Sequence, residues 1–386
     1  MKIKINSALS WRFRSVSAAF FIIAAIPAAN AALPERPLTE VYTVTGEEVV
    51  HGDWWRDYAV NDPGVLNILG DGALVTMICA HNSYPVLFGD GTINIGSDTE
   101  AGRMVVTAPN EFSEDRGNQI LNFAGTINVG MKGDFSISGS YPSKWSHLFT
   151  VGTLNVKGTV SIMASDSTNH SYFRLKNLAM YEGGMFTIND NLSLQTMDGG
   201  VYDLYSGGLS THLLRVVGGS FTLNLRAENA LDNVSIISFD SGTETNFRIN
   251  AYADNSLEVF EFNAGGVLEL SIADGATLTV GKLTTKNGKS EVDGAGIVFY
   301  NYSADAFILG DSDVFIEDNK LYIPSVDTYV TLTAYDGDGN LLEGEWSYDW
   351  NGEAGKLVLN VVPEPAAVAA VLGALALAFA ARRRIK

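Results

Sequence analysis

The chain has 386 residues with 44 acidic and 25 basic side chains, which give a formal net charge of −19. Four of the cations lie in the first 31 residues and four in the last five, so the body between them has 17 basic and 44 acidic residues and a net charge near −27. A body this acidic repels phosphate backbones and anionic lipids, which excludes nucleic acid as a partner.

The first 31 residues have the three parts of a secretory signal peptide. Basic residues open the segment, an apolar core occupies residues 18–27, and Ala29 and Ala31 provide the small side chains of a cleavage site after Ala31. A membrane anchor is the alternative, but an apolar core of about ten residues is too short for the roughly 30 Å of a bilayer. The segment therefore predicts export by the general secretion machinery and removal by signal peptidase.

Between residues 32 and 310 a short alternating phrase recurs beside glycine. Clear copies occupy residues 91–96, 125–130, 152–156, 183–189 and 218–225, and weaker copies occupy residues 247–250 and 276–281. The aligned positions are Asn94, Asn128, Asn155, Asn189, Asn224, Asn250 and Thr279, which gives a loose period near thirty residues. A period of this length, built on a strand and a turn, is typical of a solenoid, so we expect an all-β chain.

A right-handed parallel β-helix is the form of solenoid that we expect for residues 32–310, with a β-sandwich as the alternative. In the phrase Thr-Ile-Asn, alternation directs the apolar residue into the core, and Thr and Asn outward or into a turn. The glycines are expected to supply positive φ at the corners. The phrase resembles the strand repeats of bacterial autotransporter passengers. A single cysteine excludes an internal disulfide, so the rungs must share one continuous apolar core.

The pattern changes in residues 311–362. A strand pattern at residues 328–335 is followed by a turn sequence at 336–340, and a second turn at 351–355 precedes another strand pattern. These are hairpin signals. They predict a small antiparallel cap that covers the last open edge of the solenoid.

Residues 363–386 combine three features in order. They are the motif residues Pro363, Glu364 and Pro365, the uncharged residues 366–381, and the basic residues Arg382, Arg383 and Arg384. The sixteen uncharged residues span about 24 Å as a helix, and the arginines can snorkel to extend that reach, so we expect a transmembrane helix. By the positive-inside rule, the arginines stay cytoplasmic and the body lies outside.

This arrangement resembles the PEP-CTERM sorting signal of Gram-negative bacteria. The resemblance implies that the tail holds a precursor in the inner membrane. It also implies that exosortase, a membrane-embedded protease-transpeptidase, cuts near residues 363–365. The body would then reach the surface or exterior of a cell that makes exopolysaccharide and biofilm. The tail thus predicts where the protein goes and not what its body does.

The body contains no recognisable catalytic, cofactor or metal motif. None of the five histidines forms a His-Glu-x-x-His pattern, and there is no phosphate-binding loop or nucleophile elbow. Residues 336–340 begin like a calcium loop but lack its glycine at the sixth position, so a hairpin turn is expected there. Two aromatic clusters, at residues 53–58 with Trp54 and Trp55 and at residues 345–350 with Trp346, are expected to plug the solenoid ends. Stacking on sugar rings is the alternative.

These observations predict a non-enzymatic surface or matrix protein with a structural or adhesive role linked to exopolysaccharide or biofilm. Two alternatives stay open. A polysaccharide lyase or glycoside hydrolase would use acidic residues that meet only in the folded chain, such as two carboxylates about 5–9.5 Å apart. A glycan-binding module would use exposed aromatic rings without turnover.

Overall fold

A computed structural model of the chain describes residues 37–361, apart from residues 53–57, 80–85, 109–118, 142–147, 167–170, 190–191, 240–244 and 289–293. This part of the chain is all-β, with 29 strands, two short 3-10 turns and no α-helix. The predicted signal peptide (residues 1–31) and the predicted sorting tail (residues 363–386) lie outside the described residues.

The strands follow one another along the chain with short connections. The first fifteen are β1 Val41–Val44, β2 Glu47–Gly52, β3 Tyr58–Ala59, β4 Val65–Ile68, β5 Leu74–Cys79, β6 Leu87–Gly89, β7 Thr92–Ile95, β8 Gly102–Ala108, β9 Gln119–Val129, β10 Gly133–Tyr141, β11 Leu148–Val156, β12 Thr159–Asp166, β13 Ser171–Met180, β14 Met185–Ile188 and β15 Leu192–Leu204. The next nine are β16 Leu209–Val216, β17 Ser220–Leu225, β18 Val234–Phe239, β19 Thr245–Ala251, β20 Asn255–Phe262, β21 Gly266–Ile272, β22 Leu278–Thr285, β23 Gly296–Tyr300 and β24 Phe307–Leu309. The last five are β25 Phe315–Glu317, β26 Lys320–Ile323, β27 Thr328–Ala334, β28 Gly344–Trp350 and β29 Gly355–Val361, and the 3-10 turns are Lys286–Gly288 and Pro324–Val326.

Most strands pair in parallel with strands one rung away, which gives a β-solenoid-like coil. The first column contains β1, β4, β7, β9, β11, β13, β15, β17, β19, β21, β23 and β27. The second contains β2, β5, β8, β10, β12, β14 and β16, and β20, β22 and β24 pair in the same way farther along. At roughly 4.8 Å per step, the first column is about 50 Å long.

Long strands turn a corner and so belong to two faces of the coil. The first half of β9 pairs with β6 and its second half with β7, and a register shift in its pairing with β11 marks the corner. A third column results, with inward side chains from Tyr58, Leu87, Leu121, Phe149, Phe173, Leu194, Leu214, Ile237, Phe260 and Leu283. All ten are buried.

Apolar side chains from the three columns form one continuous core that runs from Leu38 to Leu359. Aromatic rings fill its later part: the ring of Phe247 lies 5.5 Å from that of Phe221 and 6.2 Å from that of Phe260. No rung could bury its apolar residues alone, because each is covered only by its neighbours in the stack. The predicted continuous core is confirmed for the described residues.

An asparagine ladder runs along the first column. The Nδ2 of Asn94 donates to the Oδ1 of Asn67 (2.8 Å), Asn128 donates to Asn94 (2.8 Å), and Asn155 donates to Asn128 (2.7 Å). At the first end, Asn67 donates to the hydroxyl of Thr43 (3.4 Å). Each amide thus donates to the preceding rung, and each except Asn155 accepts from the next one. The amides, of which Asn67 is fully buried and the other three are half-buried, satisfy one another, which avoids the cost of burying unpaired polar groups.

The ladder stops at Ala179 and resumes one rung later on a different residue type. The carboxylate of Asp203 accepts from the Nδ2 of Asn224 (3.0 Å), and Asn250 donates to Asn224 (2.7 Å). The rung before Asp203 carries Ala179 in the same register, and alanine offers no side-chain acceptor. The first member of a ladder needs only to accept a hydrogen bond, and a carboxylate is an acceptor without a donor. Asp203 also accepts a hydrogen bond from the Nε of Arg226 (2.8 Å).

The sequence alignment of the repeat was wrong at two positions. Asn189 directly follows β14, and Thr279 lies in β22; both strands belong to the second column and not to the ladder. Neighbours that are hydrogen-bonded along the ladders are 21 to 34 residues apart, because each rung contains strands of more than one face. The period near thirty is therefore the length of a rung, and similar phrases occur on two of its faces.

The expected positive φ is found at some glycines of the repeated phrase and not at others. Gly91, Gly125 and Gly152 do not have a positive φ. A Cβ added to them would instead lie 2.6, 2.1 and 1.9 Å from a carbonyl oxygen of the preceding rung. Glycine is needed at this corner because successive backbones approach too closely for any side chain. The expectation is confirmed at other glycines of the phrase, such as Gly96 with a φ of 61° and Gly183 with a φ of 81°.

Antiparallel pairing begins at the last rung. Strand β27 stacks in parallel on β23 and pairs antiparallel with β26, which pairs antiparallel with β25. Strand β29 pairs antiparallel with both β24 and β28. The hydroxyl of Tyr302 donates to the carbonyl of Leu357 (2.8 Å) and accepts from the N–H of Leu359 (2.8 Å). These strands cover the exposed edges of both columns.

The glycine corner predicts that Gly125→Ala destabilises the chain strongly. The added methyl group must displace backbone, so we expect the free energy of unfolding to fall by about 3 kcal/mol. Gly72→Ala is the matched control, because the nearest atom to its Cβ lies 4.0 Å away. That control should change stability by less than about 0.5 kcal/mol in urea denaturation. Equal effects of the two substitutions would contradict the close-approach explanation.

The ladder predicts a graded response to removal of its amides. Asn128→Ala breaks two side-chain hydrogen bonds and leaves two half-buried partners unsatisfied, so it should cost about 2 kcal/mol. Asn155→Ala breaks the single bond to Asn128 and should cost about 1 kcal/mol. Denaturant unfolding of the two variants measures the difference. A smaller loss for Asn128→Ala than for Asn155→Ala would show that the ladder does not stabilise the stack.

Candidate functional site

The residues predicted for processing all lie outside the described part of the chain. They are Ala29 and Ala31 of the signal peptide, Pro363, Glu364 and Pro365 of the sorting motif, and Arg382, Arg383 and Arg384 of the basic end. Trp54 and Trp55, which are expected to plug one end of the solenoid with sugar stacking as the alternative, also lie outside it. The roles assigned to these residues stay predictions.

The aromatic cluster at residues 345–350 is divided between core and surface. Trp346 is buried, with its ring 5.6 Å from that of Phe299 and 5.4 Å from that of Tyr302. It therefore plugs the end of the coil, as the sequence predicted. Trp350 is 37% exposed at the end of β28. Burial also raises the pKa of the neighbouring Tyr348 to about 12, and its hydroxyl donates to the carbonyl of Asp311 (2.6 Å).

The calcium-like sequence at residues 336–340 is a turn. The Oδ1 of Asp336 accepts from the backbone N–H groups of Asp338 (2.9 Å) and Asn340 (2.8 Å), and its Oδ2 accepts from the Asn340 side chain (3.0 Å). These bonds, first those from Asn340, hold the pKa of Asp336 below its usual range. The carboxylate is thus used within the turn, as the hairpin interpretation predicted. In the described ranges, no group of three or more His, Cys, Asp or Glu residues could hold a metal ion.

A row of aromatic side chains crosses the outward face of the cap. Phe315 of β25 lies opposite Tyr322 of β26, which lies opposite Tyr329 of β27. The ring centroids are 5.0 Å and 4.7 Å apart. Phe315 is 44% exposed and Tyr329 is 43% exposed. We call these three residues the aromatic row.

The row exists because the three strands alternate between core and solvent. The neighbouring cross-strand set on the inner face contains Leu321 and Val330, which are fully buried. Alternation then leaves Tyr322 and Tyr329 on the opposite face of the same strands. The sequence pattern predicts the strand around Tyr329 but not its pairing with β26 and β25. The row depends on the register between the strands, and that register cannot be read from the sequence pattern of one strand.

Two carboxylates are held against the row by the tyrosines. The hydroxyl of Tyr329 donates to the carboxylate of Glu317, and that of Tyr322 donates to the Oδ1 of Asp327 (2.7 Å). The bond to Glu317 raises the pKa of Tyr329 to about 12, and the bond to Asp327 raises the pKa of Tyr322. Both phenols therefore keep their protons at neutral and mildly alkaline pH. Each carboxylate retains lone pairs for a further donor.

The sheet that carries the row is fixed to the rest of the cap. The turn between β25 and β26 consists of Asp318 and Asn319, both with positive φ (48° and 59°), as a two-residue hairpin requires. The Asn319 side chain donates to the carbonyl of Gly344 (3.3 Å) and accepts from the N–H of Trp346 (2.7 Å). The row is thus tied through β28 to the residue that plugs the coil.

Comparisons with known proteins do not assign the chain to a family. No family model matches the sequence, and no curated protein or solved structure matches it either. In the part of the chain that the structure describes, no helix is long and apolar enough to cross a membrane.

The bond between Glu317 and Tyr329 predicts a specific titration. In Glu317→Ala the phenol loses its acceptor, so its pKa should fall from about 12 toward its usual value of 10.0. NMR of labelled tyrosine, assigned with Tyr329→Phe, measures the change. Tyr348 is the internal control, because burial and Asp311, and not Glu317, raise its pKa. An unchanged pKa of Tyr329 would show that this bond does not form in solution.

Proposed function

We propose that the protein is an exported, non-enzymatic component of the cell surface or extracellular matrix, with a structural or adhesive role linked to exopolysaccharide. Its body is a stiff spacer that carries its first rungs away from the site of attachment, because the sorting tail directly follows β29 of the cap. The partners of this route are the general secretion machinery, signal peptidase and an exosortase-type transpeptidase. The body is acidic enough to stay soluble outside the cell.

The observation that carries the proposal is the use of outward side chains in contacts between rungs. The asparagine ladders are one example. The rings of Tyr181 and Tyr205 stack 5.6 Å apart, and the guanidinium of Arg226 lies between the rings of Tyr205 and Tyr252, at 5.3 and 5.0 Å. The Nε of Arg248 donates to Glu269 of the next rung (2.7 Å). Lateral contacts of this kind stiffen a stack whose rungs touch only their neighbours.

We further propose that the coil is a right-handed parallel β-helix. Connections between parallel strands of one sheet are right-handed in nearly all proteins, because the strands themselves have a right-handed twist. Parallel pairing between successive rungs along the columns supports this form. The C-terminal part, residues 366–381, would form the transmembrane helix that retains the precursor, with Arg382, Arg383 and Arg384 on the cytoplasmic side.

Export and sorting rest on the two terminal signals. Replacing Pro363, Glu364 and Pro365 together by alanine should leave the full-length chain in the inner membrane, because the processing enzyme no longer recognises it. The native chain should appear at the surface or in the medium without its tail. Cell fractionation and the mass of the mature protein measure both outcomes.

Glu353→Ala is the matched control for this experiment. It removes an exposed glutamate that lies shortly before the motif, in the turn between β28 and β29. The control should be processed and delivered like the native chain. If the triple variant is also processed and delivered normally, the tail is not a sorting signal and the proposal fails.

A further inference from the structure

The aromatic row of the cap has the composition and geometry of a binding surface. Large exposed aromatic rings grouped in one place mark interaction sites on soluble proteins. We propose that the row binds a neutral polysaccharide, with successive pyranose rings of one chain lying along Phe315, Tyr322 and Tyr329. The inference deepens the proposed function and rests on it in one respect: the glycan must be met outside the cell.

The rings supply the apolar part of the contact. One face of a pyranose carries C–H groups and is apolar, so it packs against an aromatic ring and leaves its hydroxyl groups at the rim. The three rings follow one another at 5.0 and 4.7 Å across three paired strands. A linear chain can therefore touch all three rings if it runs perpendicular to the strands. A polymer that lies along the row contacts it from the solvent side and needs no enclosed pocket.

The two flanking carboxylates supply the polar part. Glu317 and Asp327 each accept one hydrogen bond from a tyrosine of the row, which fixes their position. An ionised carboxylate has about four acceptor positions, so each retains capacity for sugar hydroxyl donors. Such bonds to a charged acceptor are stronger than bonds between neutral groups. Rings and carboxylates together match a ligand with apolar faces and hydroxyl edges.

Charge decides which polysaccharide class fits. Residues 311–361 contain eleven acidic side chains and two lysines. An acidic polysaccharide, a nucleic acid or a second copy of this acidic chain would be repelled at this surface. A neutral polysaccharide meets no such repulsion, and it can donate hydroxyl groups to Glu317 and Asp327.

The row is also held in place before a ligand arrives. Its hairpin turn is fixed by the two hydrogen bonds of Asn319 to β28, and Tyr322 and Tyr329 are fixed by their bonds to carboxylates. Side chains that are already ordered lose little entropy on binding. The pre-ordered row therefore favours binding, and the same contact can form at many places along one polymer.

Affinity electrophoresis tests the proposal directly. The full chain, purified in detergent, is run in native gels that contain galactomannan, hydroxyethyl cellulose or dextran, with alginate as the acidic comparison. We expect retardation by at least one neutral polymer and none by alginate. The double substitution of Phe315→Ala and Tyr329→Ala should weaken binding about ten-fold or more.

Phe88→Ala is the matched control, because Phe88 is 36% exposed and lies in β6, near the opposite end of the coil from the row. It should bind like the native chain. If the double variant unfolds, Phe315→Ala alone replaces it, since it removes one exposed ring from an edge strand. Sedimentation of each protein reports self-association.

Three results would overturn the proposal. The first is retardation by none of the neutral polymers, or by alginate as strongly as by any of them. The second is equal retardation of the native chain and the folded row variants. The third is a native dimer that the row variants convert to monomer without any polysaccharide binding. These results are separate from the fate of the proposed function, which is judged by processing and location. A chain that is sorted normally but binds no neutral polymer would refute the row alone.

Discussion

The spacing between rungs is the constraint on which the rest of the structure depends. Parallel strands in a sheet lie about 4.8 Å apart, so each side chain of the coil rests on its counterpart one rung away. Equivalent positions in successive rungs therefore carry similar residues. Apolar residues fill the core, amides bond to amides, and glycines occur where backbones nearly touch. The break at Ala179 shows the same rule, since the next ladder begins on Asp203, a residue that only accepts.

A stack of rungs leaves unpaired strand edges at its ends, and the cap covers these edges at one end. Antiparallel strands cover the last edges of both columns, and Trp346 closes the core beneath them. The cap is also where the chain departs from repetition, because its strands need not match a rung above. That freedom allows an outward aromatic row flanked by carboxylates. The repeated part thus gives the coil its length, and the non-repeated end carries the surface that we propose for recognition.

The sequence predicted the all-β class and the repeat because both depend on local patterns. Alternation and glycine spacing identified Asn94, Asn128 and Asn155 as equivalent positions. Local patterns could not separate faces of the coil, which is why Asn189 and Thr279 were aligned with the ladder although they lie on the second column. The row was missed for the same reason. Phe315 and Tyr329 are distant in sequence, and only strand register makes them neighbours.

The central claim is that amide stacking holds neighbouring rungs together, and a double-mutant cycle tests it most directly. Unfolding free energies of the native chain, Asn94→Ala, Asn128→Ala and the double variant give the coupling between two adjacent ladder positions. The account predicts a coupling of about 1 kcal/mol, since the 2.8 Å bond between them is lost only once. The distant pair Asn94 and Asn250 should show none. Additivity for Asn94 and Asn128 within about 0.3 kcal/mol would contradict the account.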